Sequence, residues 1–165
     1  MNQAHLHLVV NHFPIILPFV GLLLLIGSLI LKSEVIKRTA YFVFVLGALF
    51  TLPAFATGEG AEEVVENLPS IEDKIIHIHE EAAEKFGLFS YLLGAVSALG
   101  FWASLKEKAF GKIITFVVLV VSLVTLFFAK NAGTTGGEIR HTEIRTTTAT
   151  NVIESIENKR YTDDN

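Results

Sequence analysis

The sequence predicts an all-α integral membrane protein, a four-helix up-down bundle with both termini on the outer side. Three observations carry this reading. The 165 residues are 51% hydrophobic and only 18% charged, with a mean hydropathy of +0.51, whereas an ordinary soluble domain has about 25% charged residues. Four long apolar runs divide the chain. The two short connections on one side of those runs are basic, and everything on the other side is acidic on balance.

The first run, Leu8 to Leu31, is 24 residues without a charge. The second, Tyr41 to Thr57, has 17 residues and lengthens if Val35 and Ile36 join it. The third, Phe86 to Leu105, has 20, and the fourth, Ile113 to Ala129, has 17. A helix rises about 1.5 Å per residue and must cross roughly 30 Å of hydrocarbon, so about 20 residues are needed. Helical flanks extend the shorter runs to spans of about 8–31, 36–57, 75–105 and 112–130. Backbone polar groups have no partner in lipid unless they pair internally, which makes each span a helix. Residues 1–145 are expected to form one transmembrane domain. No internal repeat is visible.

The start of the chain does not read as a secretory signal. Met1 to Leu6 has no Lys or Arg, and Ala54-Phe55-Ala56, which mimics a cleavage site, is internal. Orientation follows from charge. Lys32, Lys37, Arg38, Lys106, Lys108 and Lys112 occupy the short connections after spans one and three, against Glu34 and Glu107 only. Short basic loops stay in the cytoplasm. Both termini and the segment 58–85 are therefore expected outside.

That outer segment begins with an acidic amphipathic stretch, 59–67, read as a solvated face. Leu68-Pro69-Ser70 breaks it. Ser70 followed by Asp73 resembles a capping box, so a helix should restart at Ile71 and run through His77 into span three. After span four come Gly133, Gly136 and Gly137, then Glu138 and His141. The glycine pair suits a close backbone approach or a sharp bend. The tail 146–165 is polar; a short helix near 152–158 is one reading of it, and disorder at the end the favoured one.

The absence of cysteine excludes disulfides, thiolate metal sites and covalently attached c-type haem. A net charge of −4 gives no footprint for nucleic acid. What remains is histidine. His5, His7 and His12 open span one, His77 and His79 precede the apolar part of span three, and His141 follows span four. In an up-down bundle all six fall at the outer end. The bland explanation is that this end simply holds more polar chain.

Helical periodicity ranks them. His77 shares a face with Asp73, Glu81 and Glu84, a solvated stripe. His79 shares one with Ile75, Ala82, Phe86 and Ser90, which continues into the bundle. If span one is already helical at His5, then His5 and His12, seven apart, share an inward face and His7 points away. Pro14 and Pro18 each lack the N–H that would bond four residues back, so the helix is loosened below His12. Glu138 and His141 have the E-x-x-H spacing of carboxylate-bridged metal sites, but it occurs once, against the two copies a di-iron bundle needs.

Elsewhere, Ser90, Gly94 and Ala98 form a small-residue stripe that permits close helix contact, within the bundle or in a homo-oligomer. Trp102 and Tyr41 sit where interfacial aromatic anchors belong. Lys130 is placed to snorkel to the outer interface.

The run His5-Leu-His7-Leu-Val-Val-Asn11-His12-Phe13-Pro14, together with His79 and Gly136-Gly137-Glu138-Ile-Arg-His141, resembles a bacterial family of four-helix predicted membrane proteins of unknown function. The resemblance covers roughly residues 4 to 145. It rests on His12, Phe13, Pro14, His79, Gly136, Gly137 and His141. Some members of that family are fused to Rieske-type or cytochrome c modules, which implies a respiratory setting in the bacterial inner membrane. No such module is expected within these 165 residues, which carry an extra acidic segment and polar tail. Its Gly-Gly to His spacing is also shorter than in many members.

The first expectation is therefore a redox-associated protein binding haem b or a transition metal (Cu, Fe or Zn) at its outer end. His12, His79 and His141 are the leading ligands, with His5, His7 and Glu138 completing the metal-binding candidates. The resemblance implies a quinone, a periplasmic electron carrier or a respiratory complex as partner. The second expectation is a non-catalytic membrane subunit or assembly scaffold whose histidines bond between helices. A transporter is less favoured, since the central part of every span is uncharged.

Overall fold

The computed structural model describes residues 2–66, 71 and 73–145. Among these the chain is helical, without strands, and four helices are long and apolar enough to cross a membrane. The order is α1 (Gln3–Val10), α2 (Phe13–Leu31), α3 (Glu34–Ala56), α4 (Gly58–Glu66), α5 (Asp73–Leu105) and α6 (Gly111–Arg140), followed by a 3₁₀ turn at Thr142–Ile144. Ser70 and the stretch 152–158 lie outside the described residues. Ile71 is not helical; α5 starts at Asp73 and is unbroken.

Local chemistry sets the boundaries. Asn2 caps α1, its side chain accepting from the His5 N–H at 2.9 Å. Pro14 has no N–H for the Val10 carbonyl, so α1 ends at Val10 and α2 begins at Phe13. The first span is thus two helices in series. Lys32 turns the chain at the end of α2 with a left-handed backbone, φ 51°. Ser33 then caps α3, its hydroxyl accepting from the Ile36 N–H at 3.4 Å.

Helices α2, α3, α5 and α6 form the bundle, each packed on the next, with α6 returning to α2 along a shorter seam. The interior is built from small and hydroxyl-bearing residues around a modest apolar cluster of Leu22, Leu25, Tyr41, Phe44, Leu93 and Val118. Ser28, Thr51, Ser90, Ser97, Thr115, Ser122 and Thr125 are all buried. Most of these hydroxyls bond a carbonyl of their own helix, as Ser122 does to Leu119 and Thr125 to Val121. Two pairs cross between helices: Thr51 with Ser90 at 2.8 Å, and Tyr41 with Thr115 at 2.8 Å. Large apolar side chains face outward instead, among them Ile30, Leu88, Ile113 and Phe116, each at least 65% exposed. A soluble bundle inverts this distribution. An exterior of this kind matches lipid, where association relies on close packing and hydrogen bonds.

Glycine sets the closest approaches. A Cβ on Gly94 would lie 2.4 Å from the Ala48 Cβ, so α3 and α5 touch backbone to side chain there. Ser90 and Gly94 of the small-residue stripe are consumed inside the bundle, while Ala98 faces out. Tyr41 is no interfacial anchor: it is 1% exposed and its hydroxyl reaches across to Thr115. Trp102 does sit on the surface, with the Lys108 ammonium 5.6 Å from its ring.

The two ends of the bundle differ. At one end, Arg38 donates from Nε to the Ser104 hydroxyl and from Nη2 to the Ser104 carbonyl, both at 2.9 Å. Ser104 donates in turn to Glu34 at 2.9 Å. This basic end joins the starts of α3 and α6 to the ends of α2 and α5. At the other, α1 packs on α4 and on the end of α3. Gly60 admits the Gln3 side chain, which stands where a Cβ would be.

Candidate functional site: the histidine end

All six histidines lie at the end formed by α1, α4, the last turn of α3, the first turns of α5 and the last turns of α6, but they divide into two groups. His7 and His79 are half-buried; His5, His12, His77 and His141 are exposed.

His7 projects from α1 toward the end of α3. Its Nδ1 is 3.0 Å from the Ala54 carbonyl and 3.2 Å from the Thr57 hydroxyl. A carbonyl only accepts, so Nδ1 carries the proton and donates. The Ala54 carbonyl sits in the last turn of α3, where carbonyls run out of intrahelical partners. The Thr57 hydroxyl bonds back to the Pro53 carbonyl at 2.8 Å, which fixes the end of this helix.

His79 projects from α5 toward α6. Its Nδ1 lies 3.1 Å from the Thr135 hydroxyl. That hydroxyl spends its own hydrogen on the Asn131 or Ala132 carbonyl, at 3.0 and 3.2 Å, so it accepts from His79. The imidazole lies flat against Gly136, where a Cβ would stand 2.9 Å from its Cε1. Helix α6 runs straight through Gly136 and Gly137 to Arg140, so the glycine pair provides close approach and no bend.

The His7 proton is thus fixed on Nδ1 by a carbonyl, while the His79 ring also reaches the Ala132 carbonyl. In a ligating imidazole a hydrogen bond at one nitrogen orients the other. His7 is close enough to His79, and to His12, for their charges to interact. His12 donates from Nδ1 to the Leu8 carbonyl one turn back, at 3.0 Å. Beside it, the Asn11 amide oxygen is buried with no donor among the described residues.

The sequence expectations fare unevenly. His79 lies on the inward face with Ile75, Phe86 and Ser90, and His77 is solvated, 2.9 Å from Glu80. For α1 the facing is reversed: His7 turns inward while His5 and His12 are exposed. The seven-residue register assumed one continuous helix, and the break at Asn11 and His12 cancels it. Glu138 and His141 do not share a helical face. Glu138 is buried on α6, but His141 is already past the helix, with ψ 88°. Its Nδ1 points into solvent toward Glu143, at 2.9 Å. The Glu143 carboxyl is held below its ordinary value by its own backbone N–H first and by the His141 ring second. Arg145 folds back from the 3₁₀ turn and donates from Nε to the Glu138 carbonyl at 3.1 Å.

Among the described residues no three His, Asp or Glu side chains converge into a metal-sized group. His12, His79, His141 and Glu138 therefore share an end of the bundle but no common point. The positions missed from sequence are Ala54, Thr57 and Thr135, which orient the two inward rings. Thr57 and Thr135 carry a weak signal, hydroxyls at the end of span two and five residues past span four.

No family model, curated protein or solved structure matches the chain.

Proposed function

We propose that this chain is a multi-pass protein of the bacterial inner membrane, with both termini outside, whose outer end binds a redox cofactor through His7 and His79. The supporting observation is the shared state of these two half-buried rings. Each has Nδ1 within hydrogen-bonding distance of an oxygen on a neighbouring helix. Of the two cofactor classes, haem b suits this donor set better than a lone metal ion. His7 and His79 could together hold a haem iron, whereas a mononuclear ion needs at least three protein donors. When bound, the haem would supply one-electron transfer. The chain's part is to orient the rings through Ala54, Thr57 and Thr135. The resemblance to the family with Rieske-type and cytochrome c fusions agrees with a respiratory setting.

The experiment is an absorbance spectrum of gently purified protein, oxidised and then reduced with dithionite. A sharp reduced α-band, lost in both His7→Ala and His79→Ala and kept in His77→Ala, is the expected result. A featureless spectrum with no bound metal by elemental analysis would sink the cofactor reading.

One observation favours a second reading, an assembly scaffold. His7 ties α1 to α3, and His79 ties α5 to α6. On that reading the same two substitutions loosen the bundle end without any spectral or metal change.

A further inference from the structure

The basic end contains a cavity of about 420 Å³ between the last turn of α2, the first turn of α3 and the first turns of α6. Its size is in the range of small-ligand pockets. We propose that it binds the phosphate headgroup of an anionic phospholipid.

Charge is the first argument. Lys32, Lys37 and Lys112 line the cavity, against Glu34 alone. One oxygen of Glu34 is taken by Lys37, and the other accepts from the Ser104 hydroxyl. Lys32 and Lys112 have no ion-pair partner among the described residues. The cavity therefore keeps two ammonium groups without an ion pair among the described residues. They rise from two different helices, α2 and α6, on either side of the shorter seam.

Depth is the second argument. Leu29 stands one turn below Lys32, and Phe116 and Leu119 stand one and two turns below Lys112. Leu29 and Phe116 are exposed on the face that carries the bundle's apolar exterior. The site is basic at its rim and apolar beneath, in the order of headgroup over acyl chain. Basic pockets between helices on the cytoplasmic side take lipid phosphates for this reason. A free phosphate would use the rim and leave the apolar wall idle.

This proposal rests on membrane insertion but not on the histidines. The test uses the full chain in nanodiscs of equal phosphatidylglycerol and phosphatidylcholine, with retained lipid counted by native mass spectrometry after release into mild detergent. Phosphatidylglycerol should be retained preferentially. The preference should fall roughly fivefold for each of Lys32→Gln and Lys112→Gln. The charge-keeping double variant K32R/K112R should retain it, as should Lys106→Gln, which lies outside the cavity. Equal retention of both lipids by the wild type would overturn the proposal. So would an equal loss with Lys106→Gln, which would assign the effect to the whole basic rim. Displacement of the lipid by millimolar inorganic phosphate would also overturn it, in favour of a plain oxyanion site. Failure of the membrane reading itself shows earlier and separately, as a chain that washes off membranes at alkaline pH.

Discussion

At the scale of single residues, the histidine end depends on atoms with no chemistry of their own. Gly136 is the clearest case, because the His79 ring occupies the space a methyl group would need. Gly136→Ala should displace the ring, cost about 1–3 kcal/mol of stability, and reproduce the spectral loss of His79→Ala while leaving that histidine present. Melting in detergent beside the reduced spectrum checks both parts. His79 was legible in the sequence because α5 is unbroken, so 100° per residue holds from Asp73 to Leu105 and assigns its face. His7 was not, because Pro14 resets the helical phase between it and the rest of its span. Its partner, the Ala54 carbonyl, lies 47 positions away. His141 was misplaced for a third reason. Nothing in Glu138-Ile-Arg-His141 marks a helix end, and the chain leaves α6 there without a glycine or proline.

At the scale of elements, the tightest junction is α3 against α5. Gly94 meets Ala48, and one turn earlier Ser90 shares a hydrogen bond with Thr51. Such a bond is worth about 0.6 kcal/mol between membrane helices, so backbone proximity holds this junction more than the polar pair does. Gly94→Ala should force the helices apart at a cost of about 1–3 kcal/mol, measurable as a lower unfolding midpoint in detergent. Ala98→Leu, on the exposed side of the same helix, should leave that midpoint unchanged. The four long apolar helices were readable from apolar run length alone. Which small residues face inward was not: Ser90 and Gly94 do and Ala98 does not. The helix turns about 100° per residue, and the stripe drifts off its partner over two turns.

At the scale of the whole molecule, orientation is the property on which both proposed sites depend. The chain has no cysteine, so Ala109→Cys introduces a single label in the connection between α5 and α6. It should react with a membrane-impermeant maleimide only after the cells are opened. Labelling of intact cells would invert the topology and place the histidines in the cytoplasm. One dimension of the fold carries a further consequence. Helix α5 has 33 residues, about 50 Å at 1.5 Å each, and the hydrocarbon layer takes up only about 30 Å of that. A hydrocarbon layer measured from Leu105 would end near Phe86 and leave His79 two turns higher, roughly 10 Å into the headgroup region. A carrier in the aqueous phase could approach His79 at that height without entering the acyl layer. On the proposed function, the partner docks from the aqueous side, and the membrane serves as the floor on which it lands.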